Sequence, residues 1–494
     1  MHNRSSFRYK WIMESPVQTL SAEIPESAPR LKQTLGFRDL VLFYVASGFS
    51  LRWIATAAAA GPSAIVIWVI ACLAFYLPLV AGVLELSSRL PDEGGVYIWS
   101  KRAFGGFSGF MTGWTYWASN LPYYPALLYF AAANALYIGG GRWQKLSNDS
   151  SYFIWFSLAG LAIAVVLNII GLDKGKWLPN IGSIGLWGPA ALIVVMGGLA
   201  WWKFGSANQF SVQTLTPATH LKDIIFWSTI AFAFGGVESA SIMGEEIKDA
   251  RRILPRALVS AGVIITFIYI IGTVGLLLSV PRNEIDPLQG VMQAIQGTVG
   301  RLGIPRISPG AAVLILAGIL GTLGAWFAAT ARLPFVAGVD KLLPPAFGKL
   351  HPKWRTPYVA LLVQAAIAAV FIFLGQAGTS VKGAYDVLVS MAIIAYFIPF
   401  LYMFCSVIAL QREEPGPSVI RLPGGKPMAI SLALLGLTTT SISIVLAAIP
   451  AADDPDKKLA VIKVVGSSAA LVLAGACVYL AATLKRRKAA RREI

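Results

Sequence analysis

The sequence VASGFSLRW at residues 45–53 interrupts an otherwise apolar stretch, and AFGGVES at residues 233–239 interrupts a second one. Each combines glycine with small polar residues and one ionisable residue, Arg52 in the first and Glu238 in the second. Glycine weakens a helix, and a charge is costly within a membrane. Backbone that is not helical is tolerated at membrane depth only where it is buried in protein or lines a cavity. The two stretches therefore predict paired helix breaks around a binding site.

Corresponding breaks in the two halves of a chain are typical of transporters built from inverted repeats, which bind their substrate between the broken helices. A second interpretation stays open, because glycines such as Gly48, Gly235 and Gly236 also allow transmembrane helices to pack closely. The matched positions, five apolar spans apart, and the two ionisable residues favour the first interpretation.

The composition is that of a membrane protein. Of the 494 residues, 56% are hydrophobic and 13% are charged, about half of the roughly 25% that soluble domains carry. The net charge of +17 is explained by Lys and Arg in cytoplasmic loops, so no nucleic-acid partner is expected. The N-terminus is polar up to Phe37 and has no signal-peptide core, so the first span is predicted to stay as an uncleaved helix.

Twelve apolar stretches approach or exceed the roughly 20 residues that a helix needs to cross the hydrocarbon core. They lie at 39–60, 63–88, 106–137, 152–171, 180–202, 223–246, 257–280, 308–332, 357–375, 384–408, 428–450 and 459–483. An amphipathic segment near 287–300 is too polar to cross and is predicted to be a surface helix. Another, near 336–349, carries Asp340, Lys341 and Lys349 and is predicted to be cytoplasmic. The prediction is an all-α membrane protein of about 12 transmembrane helices.

The distribution of basic residues predicts the orientation. With the N-terminus inside, the inner segments hold 29 Lys and Arg residues and the outer loops hold 10. Cytoplasmic loops are enriched in Lys and Arg, so both termini are predicted to be cytoplasmic and the protein to lie in the cell (inner) membrane. The basic tail then lies near anionic lipid.

The ends of broken helices carry partial charges that suit a particular ligand. Unpaired N–H groups around Ser47, Gly48 and Phe49 are expected to receive a carboxylate at a positive dipole end. Free carbonyl groups around Phe232–Gly235 are expected to receive an ammonium group. A zwitterionic α-amino acid satisfies both, whereas a sugar or a simple cation satisfies only part of the site.

A series of short motifs follows the breaks along the chain. They are AGP at 60–62, ELSSRLP at 85–91, GGVY at 94–97, FGGVESA at 234–240, the stretch 245–256, GAW at 324–326 with Arg332, LLP at 342–344 and TP at 356–357. In this order they resemble the amino acid–polyamine–organocation (APC) superfamily of permeases, over about Leu35 to Leu410. Residues 51–53 and 117–125 look most like the glutamate/GABA antiporter and amino-acid permease branches.

The resemblance implies an architecture. It is a LeuT-like 5+5 inverted repeat with two C-terminal helices, working by alternating access. The first repeat is then 38–202 and the second 223–408, with helices 11 and 12 at 428–483. Residues 1–37 form a cytoplasmic N-terminal tail and 484–494 a basic cytoplasmic C-terminal tail.

The resemblance also implies roles by position. Phe232 matches an aromatic gate, and Gly235 matches a carbonyl group that accepts the substrate ammonium. Asn120 and Trp326 match positions that face the substrate side chain in the arginine/agmatine antiporter, and Glu238 matches a glutamate linked there to the pH response. Proton-coupled relatives often carry a lysine midway along the fifth helix. Residues 183–189 contain none, which favours exchange or another proton carrier.

Both charges within the spans have two interpretations. Glu238 either titrates and couples transport to protons, or is a hydrogen-bonded strut beside the broken helix. Arg52 either faces the cavity and binds a side-chain carboxylate, or it pairs with a carboxylate or with carbonyl groups of the protein, or points to an outer vestibule. The two lie at similar depth, so a direct ion pair between them is a further possibility.

The sequence thus predicts a secondary active transporter of amino acids, as exchanger or proton-coupled symporter. Uptake of polyamines or other organocations is the alternative, but it calls for several carboxylates or aromatic groups in the cavity, and Glu238 is the one clear acidic residue there. No catalytic constellation, metal-ligand spacing or phosphate-binding loop is present in the sequence, so we expect no enzyme, no cofactor and no metal.

Overall fold

The computed structural model describes residues 36–90, 95–170, 177–217, 221–238, 249–339, 342–414, 416, 419–450 and 456–490. Helices make up the regular structure of these residues. They are α1 Phe37–Gly48, α2 Leu51–Ala59, α3 Ala64–Arg89, α4 Val96–Phe104, α5 Gly106–Ala135, α6 Ser150–Ile170, α7 Trp177–Phe204, α8 Leu221–Phe232, α9 Ala250–Ser279, α10 Gly290–Arg301, α11 Ile307–Val339, α12 Tyr358–Gln376, α13 Val381–Leu410, α14 Gly425–Ala447 and α15 Lys457–Lys488.

Within the described residues, nine helices are long and apolar enough to cross a membrane: α3, α6, α7, α9, α11, α12, α13, α14 and α15. The other three predicted spans are the two broken ones and α5. The 30 residues of α5 extend about 45 Å at 1.5 Å per residue. Its Trp, Tyr, Thr, Ser and Asn residues make it less apolar than the other spans. The prediction of about 12 transmembrane helices is confirmed.

The two amphipathic segments differ in structure. The segment near 287–300 forms the helix α10, as expected. In the segment near 336–349, α11 continues to Val339 and a 3₁₀ turn lies at Pro345–Gly348; the cytoplasmic location of this segment stays a prediction. Two consecutive prolines, Pro344 and Pro345, stand at the start of that turn. They lack N–H groups and restrict the preceding backbone, which disfavours a longer helix there.

Glycines bring α7 into backbone contact with its neighbours. A Cβ atom at Gly185 would lie 2.3 Å from the backbone nitrogen of Gly318 on α11, and one at Gly182 would lie 2.9 Å from the Cα of Gly321. Small residues at such crossings allow membrane helices to approach closely. This side of α7 therefore has no space for a longer side chain, and the glycines near the fifth span serve helix packing.

The helices differ in how deeply they are enclosed. The most apolar window of α13 is 61% buried, whereas that of α15 is 22% buried. α5 packs against both α13 and α11, and α9 packs against α1 and α7. The broken helices, α5, α11 and α13 thus form the interior, and the last helix lies at the periphery.

Candidate functional site

Both predicted breaks are present in the structure. α1 ends at Gly48 and α2 begins at Leu51, with two extended residues between them. α8 ends at Phe232, and residues 233–236 form a turn. A Cβ atom at Gly48 would lie 3.9 Å from the carbonyl oxygen of Gly235, so the two breaks lie directly against each other.

One tyrosine on α9 links the two breaks. The hydroxyl of Tyr269 accepts a hydrogen bond from the N–H of Ser50 (3.1 Å) and donates one to the carbonyl of Gly48 (2.9 Å). The carbonyl oxygen of Ala233, in the second break, lies 3.4 Å from the same hydroxyl. The Tyr269 ring is fully buried and stacks on Trp68 with ring centroids 4.2 Å apart. Sequence reasoning did not find this residue, because a tyrosine within an apolar helix carries no distinguishing pattern.

A cavity lies between the breaks and three other helices. The empty space between these elements is about 550 Å³, including the part that is open to solvent. It is lined by Gly48, Phe49, Ser50 and Trp53 around the first break, Phe232, Ala233 and Gly235 at the second, Ser119, Asn120 and Tyr123 of α5, Thr322 and Trp326 of α11, and Tyr396 of α13.

The structure brings most of the predicted site residues to this one cavity. Gly48, Phe49, Asn120, Phe232, Gly235 and Trp326 line it. The side chain of Ser47 lies outside the described residues. Arg52 and Glu238 do not line the cavity themselves, but each contacts residues that do.

The N–H groups of the first break lie later in the chain than predicted. Gly48 is the last residue of α1, and the C-terminal end of a helix presents carbonyl groups rather than N–H groups. The free N–H groups at the start of a helix belong to α2, which begins at Leu51; its N-cap residue, Ser50, makes no side-chain capping hydrogen bond. The positive end of the helix dipole is therefore two residues beyond Phe49.

Aromatic rings form one wall of the cavity. Phe232 makes edge-to-face contacts with Trp53 and with Tyr396, at centroid distances of 5.4 and 5.1 Å. A Cβ atom at Gly235 would lie 2.5 Å from the Tyr396 ring. Glycine at this position thus allows the second break to lie against the aromatic wall.

Asn120 and Trp326 approach the cavity from opposite helices. The side-chain amide of Asn120 donates to the carbonyl of Tyr116, one turn earlier on α5 (2.9 Å), which fixes its orientation. The hydroxyl of Thr330 donates to the carbonyl of Trp326 on α11 (2.8 Å) and also contacts the hydroxyl of Tyr124 on α5. These contacts hold α5 and α11 on either side of the cavity.

The Glu238 carboxylate is 2% exposed and is engaged by several donors. Tyr116 of α5 and Tyr396 of α13 donate to its Oε1 at 2.9 and 2.5 Å, and the N–H of Gly236 donates to its Oε2 at 3.0 Å. Hydrogen bonds from donors are what a buried carboxylate needs in place of water. The carboxylate thus ties the second break to α5 and α13.

Arg52 lies in the first turn of α2 and is fully buried. Its guanidinium carbon lies 3.9 Å from the centroid of the Trp53 ring and 4.4 Å from that of Tyr123. None of its three nitrogens has a hydrogen-bond partner among the described residues, so the suggested direct ion pair with Glu238 is absent. Each cation–π contact contributes about 0.5–2 kcal/mol, less than the several kcal/mol that burying an ion costs.

The paired breaks, the spanning helices and the cavity between them define a secondary transporter of the inverted-repeat type. The amino acid permease family model matches residues 35–475, so this chain belongs to the amino acid permease family. The APC resemblance seen in the motifs is thereby confirmed. The protein is a multi-pass membrane protein that transports amino acids.

Individual relatives agree with this membership. The chain is 27% identical over 437 residues to the uncharacterized transporter lpg1691 of Legionella pneumophila, covering 87% of this chain and 92% of that protein. It is 27% identical over 341 residues to the serine/threonine exchanger SteT of Bacillus subtilis, covering 68% and 72%. The crystal structure of MhsT in complex with L-phenylalanine has the same fold, with a TM-score of 0.58 at 14% identity over 84% of this chain and 100% of that one.

The tyrosine between the breaks gives a first prediction. Tyr269→Phe leaves the Ser50 N–H and the Gly48 carbonyl without this partner, which we expect to lower the free energy of unfolding by about 1–3 kcal/mol. Because both groups belong to the cavity wall, the KM of amino-acid uptake should rise about tenfold. Uptake kinetics in proteoliposomes and thermal unfolding in detergent measure the two effects.

Tyr129→Phe is the matched control for that variant. Tyr129 is also fully buried, and its hydroxyl donates to the carbonyl of Ile372, away from the cavity (2.9 Å). The Tyr129→Phe variant should have a lower free energy of unfolding and an unchanged KM for amino-acid uptake. Equal KM values for the two variants would mean that Tyr269 has no influence on the site.

Proposed function

We propose that this permease binds zwitterionic α-amino acids between its two helix breaks and exchanges them by alternating access. The observation that carries the proposal is the contact between the breaks at the cavity, where α2 begins and α8 ends. One helix end offers N–H groups and the other offers carbonyl groups, so the site suits a ligand that carries a carboxylate and an ammonium group side by side.

The binding mode follows from the helix ends. The substrate carboxylate is placed at the start of α2, beside the cavity wall formed by Gly48 and Phe49. The ammonium group is placed at the carbonyl groups of the stretch Phe232–Gly235. Asn120 and Trp326 then meet the substrate side chain, and the Phe232 ring closes the aromatic wall over it.

Amino acids are favoured over polyamines as substrates by the charges around the cavity. The lining is aromatic, which by itself suits an organocation, but among the described lining residues there is no Asp or Glu to pair with the two ammonium groups of a diamine. The relative SteT is a serine/threonine exchanger, and the fifth span lacks the lysine of proton-coupled relatives. Both points support exchange of amino acids.

Counterflow in proteoliposomes tests this proposal. Vesicles loaded with one unlabelled amino acid should take up the same amino acid in labelled form at least about fivefold faster than empty vesicles. An exchanger carries a labelled molecule in only when it carries an unlabelled one out. The screen covers amino acids and their decarboxylation products, with and without a pH gradient. Absence of stimulation by every amino acid would contradict the proposal.

A pair of glycine variants supplies the control for that assay. Gly235→Ala places a Cβ atom 2.5 Å from the Tyr396 ring, so it should reduce counterflow about tenfold or more. Gly310→Ala, on α11, has no atom within 4 Å of the added carbon and should leave counterflow unchanged.

We propose that Glu238 acts as a strut and does not carry the coupling proton. Glu238→Gln removes an acceptor opposite the Gly236 N–H, so thermal stability should fall by about 1–3 kcal/mol. The pH profile of counterflow should keep its shape. Glu85→Gln, which alters another buried carboxylate that binds Arg89 at 3.0 Å, is the control. A profile that flattens in Glu238→Gln alone would assign the proton to this residue.

We also propose that both termini are cytoplasmic, in the cell (inner) membrane. The support is the excess of Lys and Arg in the segments assigned to the inside, 29 against 10. Fluorescent-protein and alkaline-phosphatase fusions to the C-terminus test it. Fluorescence without phosphatase activity is expected, and the opposite result would reverse the orientation.

A further inference from the structure

Arg52 is the least compensated charge of the cavity region. Its side chain has no exposed surface, and its three guanidinium nitrogens have no hydrogen-bond partner among the described residues. A guanidinium carries a unit positive charge. A buried cation of this kind is costly unless an acceptor or an anion reaches it.

The two rings that hold Arg52 belong to the cavity wall. Trp53 and Tyr123 both line the cavity, and the guanidinium carbon lies 3.9 and 4.4 Å from their centroids. The positive charge is therefore separated from the substrate space by a single layer of aromatic side chains. In a medium of low dielectric constant, an electrostatic interaction remains strong over that distance.

The start of α2 reinforces this positive potential. Arg52 is in the first turn of α2, where acidic residues usually offset the helix dipole, but that turn contains no acidic residue. The helix end and the guanidinium thus carry the same sign at one end of the cavity. The Glu238 carboxylate is held elsewhere, by Tyr116 on α5, two turns before Tyr123.

We propose that the cavity selects amino acids with a carboxylate in the side chain, and that Arg52 is the specificity-determining residue. This inference rests on the proposed function of the same site. The α-carboxylate and the ammonium group bind at the helix ends, and the second carboxylate occupies the end lined by Trp53 and Tyr123. Diamines are rejected, because their second ammonium group would face the same positive charge.

Competition experiments in proteoliposomes test this selectivity. Counterflow of labelled substrate is inhibited with L-glutamate, L-glutamine, L-aspartate, L-asparagine and putrescine. The wild type should prefer each acid over its amide by about tenfold or more, and putrescine should not compete. Equal or stronger inhibition by the amides would overturn the inference, and this measurement needs no variant.

Variants at Arg52 separate its charge from its shape. Arg52→Gln should abolish the preference for acid over amide. Arg52→Lys keeps the positive charge behind the two rings and should retain most of the preference. Arg102→Gln is the matched control, because Arg102 is exposed and pairs with Glu413 at 3.1 Å, outside the cavity lining. An unchanged ratio in Arg52→Gln would show that Arg52 does not set the selectivity.

The outcomes distinguish this inference from the proposed function. If the wild type exchanges neutral amino acids but does not favour the acids, the selectivity is wrong and the amino-acid site remains. If no amino acid is exchanged, the proposed function itself is wrong. Thermal unfolding of each purified variant shows whether a loss of transport is caused by unfolding of the protein.

Discussion

The interior depends on one constraint: a helix that breaks at membrane depth leaves backbone groups without partners, and lipid offers none. The Tyr269 hydroxyl meets this constraint for the first break by accepting from Ser50 and donating to Gly48. Its contact with Ala233 places the second break against the first. This tyrosine, which stacks on Trp68, thus satisfies backbone groups of the extended residues beside the cavity.

The low hydropathy of α5 has a cause in this arrangement. Tyr116 donates to Glu238, and Tyr123 covers Arg52, two turns further along the same helix. Asn120 lies between them on the cavity. One face of α5 therefore serves both intramembrane charges and the substrate space, and it is polar and aromatic for that reason. A span that faced lipid would not need these residues.

Much of this architecture could be predicted from the sequence. The length of the apolar stretches located the spans, and glycines with polar neighbours located both breaks. Both signals depend only on residues within one segment of the chain. The free N–H groups were predicted two residues too early in the chain. The residue at which a broken helix resumes, here Leu51, depends on contacts with other helices. Tyr269 and Tyr396 were missed for the same reason: their hydroxyls matter only through partners in other segments of the chain.

The glycine contacts of α7 have a mechanical consequence. Where Gly185 meets Gly318 and Gly182 meets Gly321, backbone touches backbone and no side chains interlock. Elsewhere, sliding one helix along another forces interdigitated side chains out of their rotamers. At these two crossings no side chain has to change its rotamer, so a relative shift of the fifth and eighth spans would meet less steric resistance there than at a crossing of larger residues.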